Sequence, residues 1–200
     1  MRTVAAFDFD KTLTNSDTLV RFVWFSCGIG RLLAGFLFYS PLLVLMKLHL
    51  YPNWKAKQKV FAYFFRGCDY HHFQQLGQEF ANEVERIKNN ETVEKLEAHL
   101  AKGDTVYVVS ASIAEWVRPW CEGQGVSGVI ATEVEVDDKG CLTGRFKSRN
   151  CYGKEKVRRL LEFEPNRASY CLYAYGDGRG DRELLAFADK PQTVIAHSSR

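Results

Sequence analysis

Three short apolar runs, Val4–Phe7, Thr105–Val109 and Ser169–Tyr175, each break off at acidic or small polar residues: Asp8 and Asp10, Ser110, and Asp177 with Asp181. Helix-like stretches separate and follow them, over 53–67, 69–89, 91–102, 113–121, 153–163 and 182–188. Strands that alternate with helices pair in parallel, and the carboxyl ends of parallel strands share one edge of the sheet. The pattern therefore predicts an α/β fold, a Rossmann-like parallel sheet whose polar strand ends converge on one crevice. A last strand is expected at 192–196, and alternation around Asp137-Asp138-Lys139-Gly140 predicts a small β-hairpin over 128–146. Asp69, after the Gly67-Cys68 break, has the chemistry of a helix N-cap.

The first strand runs into Asp8-Phe9-Asp10-Lys11-Thr12. Side chains alternate along a strand, so two aspartates at i and i+2 would leave on one side if it continued. Neighbouring carboxylates repel unless a cation lies between them or one keeps a proton. That suits a Mg²⁺ site with a nucleophile and an acid/base side by side. An Asx turn closing the strand is the plainer alternative.

Residues 18–50 are apolar on nearly every side, yet the uncharged stretch between Arg31 and Lys47 is fifteen residues and contains Pro41. A bilayer span needs about 20 apolar residues, so a transmembrane helix is not the favoured reading. From Thr18 to Cys68 there are seven basic residues (Arg21, Arg31, Lys47, Lys55, Lys57, Lys59, Arg66) and no Asp or Glu. Such a lobe fits a surface that meets anionic lipid or an acidic substrate, or a helical lobe that packs on itself with solvated lysines.

The net charge of +3 is too small to point to nucleic acid, and none is expected as a partner. The six cysteines form no CxxC pair, which argues against zinc and for reduced, buried thiols. Residues 1–17 carry three aspartates and no long apolar run, so no signal peptide is read there. A cytoplasmic location follows, with peripheral membrane contact through the basic apolar lobe as its variant.

Four carboxylates in one crevice call for a cationic side chain as well as a metal, and Lys154, at the start of the 153–163 helix, is the candidate. Asp8-Phe9-Asp10-Lys11-Thr12, Ser110, Lys154 and Gly176-Asp177-Gly178-Arg179-Gly180-Asp181 together resemble the four ordered motifs of the haloacid dehalogenase superfamily of phosphatases. The resemblance covers 1–16 and 90–200 as the catalytic core. Residues 17–89 are similar in position to the helical C1-type cap of the phosphoserine phosphatase-like branch.

The resemblance implies that Asp8 attacks the substrate phosphorus to form an aspartyl-phosphate and that Asp10 serves as acid, then base. It implies Mg²⁺ held by Asp8, the Asp10 carbonyl and Asp177, with Asp181 supporting that shell. Ser110, the Ala111 N–H and Lys154 would bind phosphoryl oxygens. Asp17, nine positions after Asp8, and Arg66 are the candidate substrate contacts. The implied activity is Mg²⁺-dependent hydrolysis of a small phosphomonoester. Hydrolysis of a phospholipid headgroup at a membrane, as in the phosphatidylglycerophosphate phosphatases that share this core, is one alternative, and a non-catalytic phosphate-binding module is another.

Overall fold

The computed structural model describes residues 2–48, 50–178 and 180–195. Its centre is a five-stranded parallel sheet in the order β3-β2-β1-β6-β7, formed by β1 (Arg2–Phe7), β2 (Thr105–Ile113), β3 (Gly128–Thr132), β6 (Tyr170–Gly176) and β7 (Lys190–Thr193). β1 lies in the middle, paired with β2 from Val4↔Thr105 to Phe7↔Val108 and with β6 from Arg2↔Tyr170 to Phe7↔Tyr175. Strand order reverses at β1, and a crevice opens at such a reversal, beyond the strand ends. The Asp8 end is therefore set at the switch point by pairing alone.

Period-two alternation explains how β1 serves both layers. Ala5 and Phe7 face one core cluster and Val4 and Ala6 the other, all fully buried. Helices α6 (Lys154–Phe163) and α7 (Arg182–Phe187) cover the second cluster through Leu160 and Leu184. The first is covered by α4 (Asn90–Ala101) and α5 (Ala114–Gly123), together with three helices that lie between β1 and β2 in the chain.

Those three are α1 (Thr18–Lys47), α2 (Asn53–Phe65) and α3 (Tyr70–Ile87). An aromatic seam joins them to α5: Phe22 stacks on Trp116 with ring centroids 4.6 Å apart, and Phe73 and Phe80 meet Phe22 edge-on. Asp69 caps α3 by accepting a hydrogen bond from the His72 N–H, as its position after Gly67 predicts. α1 is broken at Gly28, whose φ of 78° and ψ of 164° are open to glycine and costly for other residues. Pro41 sits inside the outer half.

Two expectations change. The 128–146 alternation does not form one hairpin, because Gly128–Thr132 finds a partner in β2 and joins the parallel sheet as β3. The hairpin is the shorter β4 (Val134–Val136) and β5 (Leu142–Phe146), turned by Asp137, whose Oδ1 accepts from the Lys139 and Cys141 N–H groups. The strand expected at 192–196 begins earlier, at Lys190, and position 196 lies outside the described residues.

Candidate active site

β1 ends at Phe7, and the Asp8 N–H still donates to the Tyr175 carbonyl at 2.9 Å, so Asp8 is anchored to the sheet edge. The chain then tightens into a π-type turn, Phe9–Leu13, with Lys11 at a φ of 58°. A non-glycine residue in that region is uncommon and marks a backbone constrained by its surroundings. Because the strand stops, the two carboxylates do not leave side by side.

Asp8 Oδ1 accepts from Lys156 Nζ at 2.6 Å, and the same ammonium also bonds Asp181. Asp10 turns the other way: its Oδ1 accepts from the Thr18 N–H at 2.8 Å and the Thr18 hydroxyl at 2.6 Å, and its Oδ2 from the Ser112 hydroxyl. Thr18 is the first residue of α1 and Ser112 lies near the end of β2, so Asp10 is held between two elements.

Asp8, Asp177 and Asp181 bring carboxylate oxygens within 4.8 Å of one another. Asp181 is fully buried, fits against Gly176, and accepts from the Asp177 N–H at 3.2 Å. A Cβ on Gly176 would stand 2.5 Å from Asp181 Cβ, so this approach requires glycine. Burial pushes the Asp8 carboxyl up to about 8, against the pull of Lys156, with Asp181 and Asp10 adding to the rise. Asp177, open to the cavity, is raised by partial burial and then by Asp181. Burial opposes the Lys156 charge, but Asp8 and Asp181 outweigh it and hold the ammonium above the ordinary lysine range. Asp8 and Asp181 share the Lys156 ammonium while the Asp177 carboxylate stands beside them without a bond to it, and the hard oxygen donors of the three fit Mg²⁺.

Lys154, the expected cation, is exposed and lines a separate surface hollow with Val157 and Phe187. On α6 the inward face carries Lys156, Arg159 and Leu160, and a residue two positions before Lys156 points elsewhere. Counting back four from the apolar Leu160 would have found Lys156. Arg66 is likewise displaced, since it lines a hollow between α2 and the hairpin with Asp137 and Gly144. It is the C-cap of α2.

Asp17, a candidate substrate contact, immediately precedes α1. It caps α1, accepting from the Leu19 and Val20 N–H groups, and it lines the catalytic cavity. Enclosure by the cavity wall raises its carboxyl, and Asp10 adds to this while Lys57 opposes it. Ser110 is buried at the end of β2, its Oγ accepting from the Ser112 N–H at 3.0 Å. Ala111 lines the cavity, and its carbonyl accepts from Lys57 Nζ at 2.8 Å and from the Thr132 hydroxyl at 3.0 Å.

The cavity itself has a volume of about 590 Å³. Asp8, Asp10, Asp177 and Lys156 form its polar floor; Leu19, Val20, Phe36, Leu43, Met46 and Val60 form an apolar wall contributed by α1 and α2. The sequence alone does not single out Thr18 and Ser112, although they adjoin the candidates Asp17 and Ser110, nor Lys57, Asn150 and Tyr152, whose distant positions only folding brings to the site.

An acidic crevice at the switch point of a parallel sheet, with a lysine-bound aspartate at the end of its central strand, is a site where an anionic ligand and a divalent cation can meet. The sequence profile of the haloacid dehalogenase-like hydrolases matches residues 5–186, and the chain belongs to that family. It is 32% identical over 191 residues to protein CicA of Caulobacter vibrioides, which spans 94% of this chain and 83% of CicA. A Bordetella pertussis protein of unknown function shares the fold with a TM-score of 0.83 at 23% identity, over 96% of this chain and 90% of that one. A phosphoserine phosphatase, in a form that is an analogue of its phospho-aspartyl intermediate, matches with a TM-score of 0.62 at 19% identity, over 94% and 83%.

Proposed function

We propose that the chain is a Mg²⁺-dependent phosphatase that hydrolyses a phosphomonoester through an aspartyl-phosphate on Asp8. The observation that carries this reading is the separation of roles in the carboxylate pair: Asp8 is fixed by Lys156, and Asp10 is fixed independently by Thr18 and Ser112. With one Asp8 oxygen on the ammonium, the other attacks phosphorus as the bond to the leaving oxygen breaks, and Asp10 gives that oxygen its proton. Water then attacks the aspartyl-phosphate, its proton passes to Asp10, and phosphate departs with Asp8 regenerated. Lys156, in the role first given to Lys154, stabilises charge on the transferring group with Ser110 and the Ala111 N–H.

Asp8, the Asp10 carbonyl and Asp177 would hold Mg²⁺, with Asp181 supporting them, and the ion would supply charge neutralisation at the phosphoryl oxygens. In this reading residues 17–89 act as a cap over a core of 1–16 and 90–200, and Asp17 and Lys57 at the cavity wall contact the leaving group. Asp8→Asn tests the mechanism: with p-nitrophenyl phosphate and Mg²⁺, turnover is expected to vanish while the fold persists by circular dichroism. Full activity in that variant sinks the reading.

The apolar wall favours a second reading of the substrate, a phospholipid headgroup in place of a phosphoserine-like metabolite. Turnover of lysophosphatidic acid against phosphoserine, at matched Mg²⁺, separates the two.

A further inference from the structure

We propose that the outer half of α1, beyond Gly28, docks in the interface of an anionic lipid bilayer and lies in its plane. Ile29, Leu33, Leu37, Val44 and Leu48 are 53–77% exposed and follow one another at helical spacing, so they form one stripe along one face. Leu50, at 72%, continues the exposed apolar surface past the helix end, while Phe38 stacks on Tyr63 of α2. Of the most apolar 18-residue window in α1 only 11% is buried, far below what a helix committed to a core would show.

The opposite face is already in use. Leu32 is buried, Gly35 lies against the Phe64 ring of α2, and Phe36 and Leu43 line the catalytic cavity. To span a bilayer, the helix would have to leave α2 and open that cavity wall. Lying flat satisfies both faces at once.

Charge identifies the occupant. Arg31 and Lys47, near the two ends of the stripe, are exposed; Lys55 and Lys59, also exposed, sit on α2, with the Lys55 ammonium over the Trp54 ring at 5.4 Å. No acidic residue lies between Thr18 and Cys68 to balance them. A second copy packing isologously through this face would set like charges against each other, whereas an anionic headgroup layer neutralises them. The exposed Trp24 and Trp54 suit a headgroup boundary.

The test is co-sedimentation of the whole chain with phosphatidylcholine vesicles, with and without phosphatidylglycerol, at low and high salt. Uptake is expected on the anionic vesicles and is expected to fall with salt. Leu33→Asp/Leu37→Asp, at two residues outside the cavity lining, should weaken uptake by at least about tenfold. Hydrolysis of p-nitrophenyl phosphate without vesicles is followed in parallel and should survive in the double variant, so loss of docking and failure of the phosphatase reading are seen separately. Wild-type protein left in the supernatant with both vesicle types overturns the proposal. Equal, salt-independent uptake on neutral vesicles overturns it too, as does self-association in lipid-free solution that the same double variant abolishes, which would assign the face to a second copy.

Discussion

Lys156 and Asp181 are bonded to each other with both side chains almost wholly buried, and the same ammonium reaches Asp8 at 2.6 Å. One cation thus joins the end of β1 to the loop after β6. Its removal leaves two buried carboxylates without their partner.

Lys156→Met is therefore expected to lower kcat by a factor of roughly 10² to 10³ and to destabilise the fold by about 3–5 kcal/mol. Lys154→Met, two positions away on the exposed face of α6, should stay within about twofold of wild type. Steady-state kinetics and thermal unfolding on both variants check the assignment; equal effects would return Lys154 to the site.

Chelation gives a second outcome. EDTA is expected to silence turnover and added Mg²⁺ to restore it. Because Asp8, Asp177 and Asp181 crowd together, Mg²⁺ should also raise the unfolding temperature, by the equivalent of about 2.7 kcal/mol at a hundredfold excess over Kd. Asp177→Asn should blunt that rise. An unfolding temperature indifferent to Mg²⁺ would contradict the site.

Gly176→Ala places a methyl group where Asp181 now sits, 2.5 Å from its Cβ. The overpacking is expected to cost about 1–3 kcal/mol and, by shifting Asp181 against Lys156, to lower kcat more than KM changes. A variant with wild-type kinetics would show that Asp181 has room to move.

Glu115, in the first turn of α5, accepts a hydrogen bond from the Tyr70 hydroxyl at 3.0 Å, while its Oε2 is buried without a partner. Burial raises its carboxyl, with Tyr70 and Arg118 opposing. The folded chain then holds this proton to higher pH than the unfolded chain does. The Glu115 contribution to stability falls as pH rises from the unfolded carboxyl value, about 4.3, through the raised folded one. Glu115→Gln should thus stabilise the protein at neutral pH by up to about 1 kcal/mol and lose its advantage below about pH 4. Urea titrations across that range decide it; a constant difference would place the effect in packing.

Much of this architecture is legible in the sequence because it follows from local periodicity. The apolar run into Asp8, the βα alternation and the Asp69 cap each depend on neighbours within a turn or two. Residues 128–132 were not legible, since alternation does not distinguish a hairpin arm from a sheet strand, and the pairing with β2 that decides it is remote. Lys154 and Lys156 both lie in the first turn of one helix, and only packing against the sheet shows which of them turns inward. The Thr18 and Ser112 grip on Asp10 joins positions 94 apart in the sequence, a relation no spacing rule reports.

Thr18 gives the break in α1 a mechanical meaning. The residue that opens this helix also holds Asp10, so an uninterrupted helix would act as a lever between the exposed apolar stripe and the Asp10 carboxyl. At Gly28 the backbone leaves helical geometry, so the two halves of α1 are not one continuous rod. The inner half stays clamped by Phe22 against Trp116. A bilayer seated on the outer half, as proposed above, would thus leave the Asp10 carboxyl undisturbed.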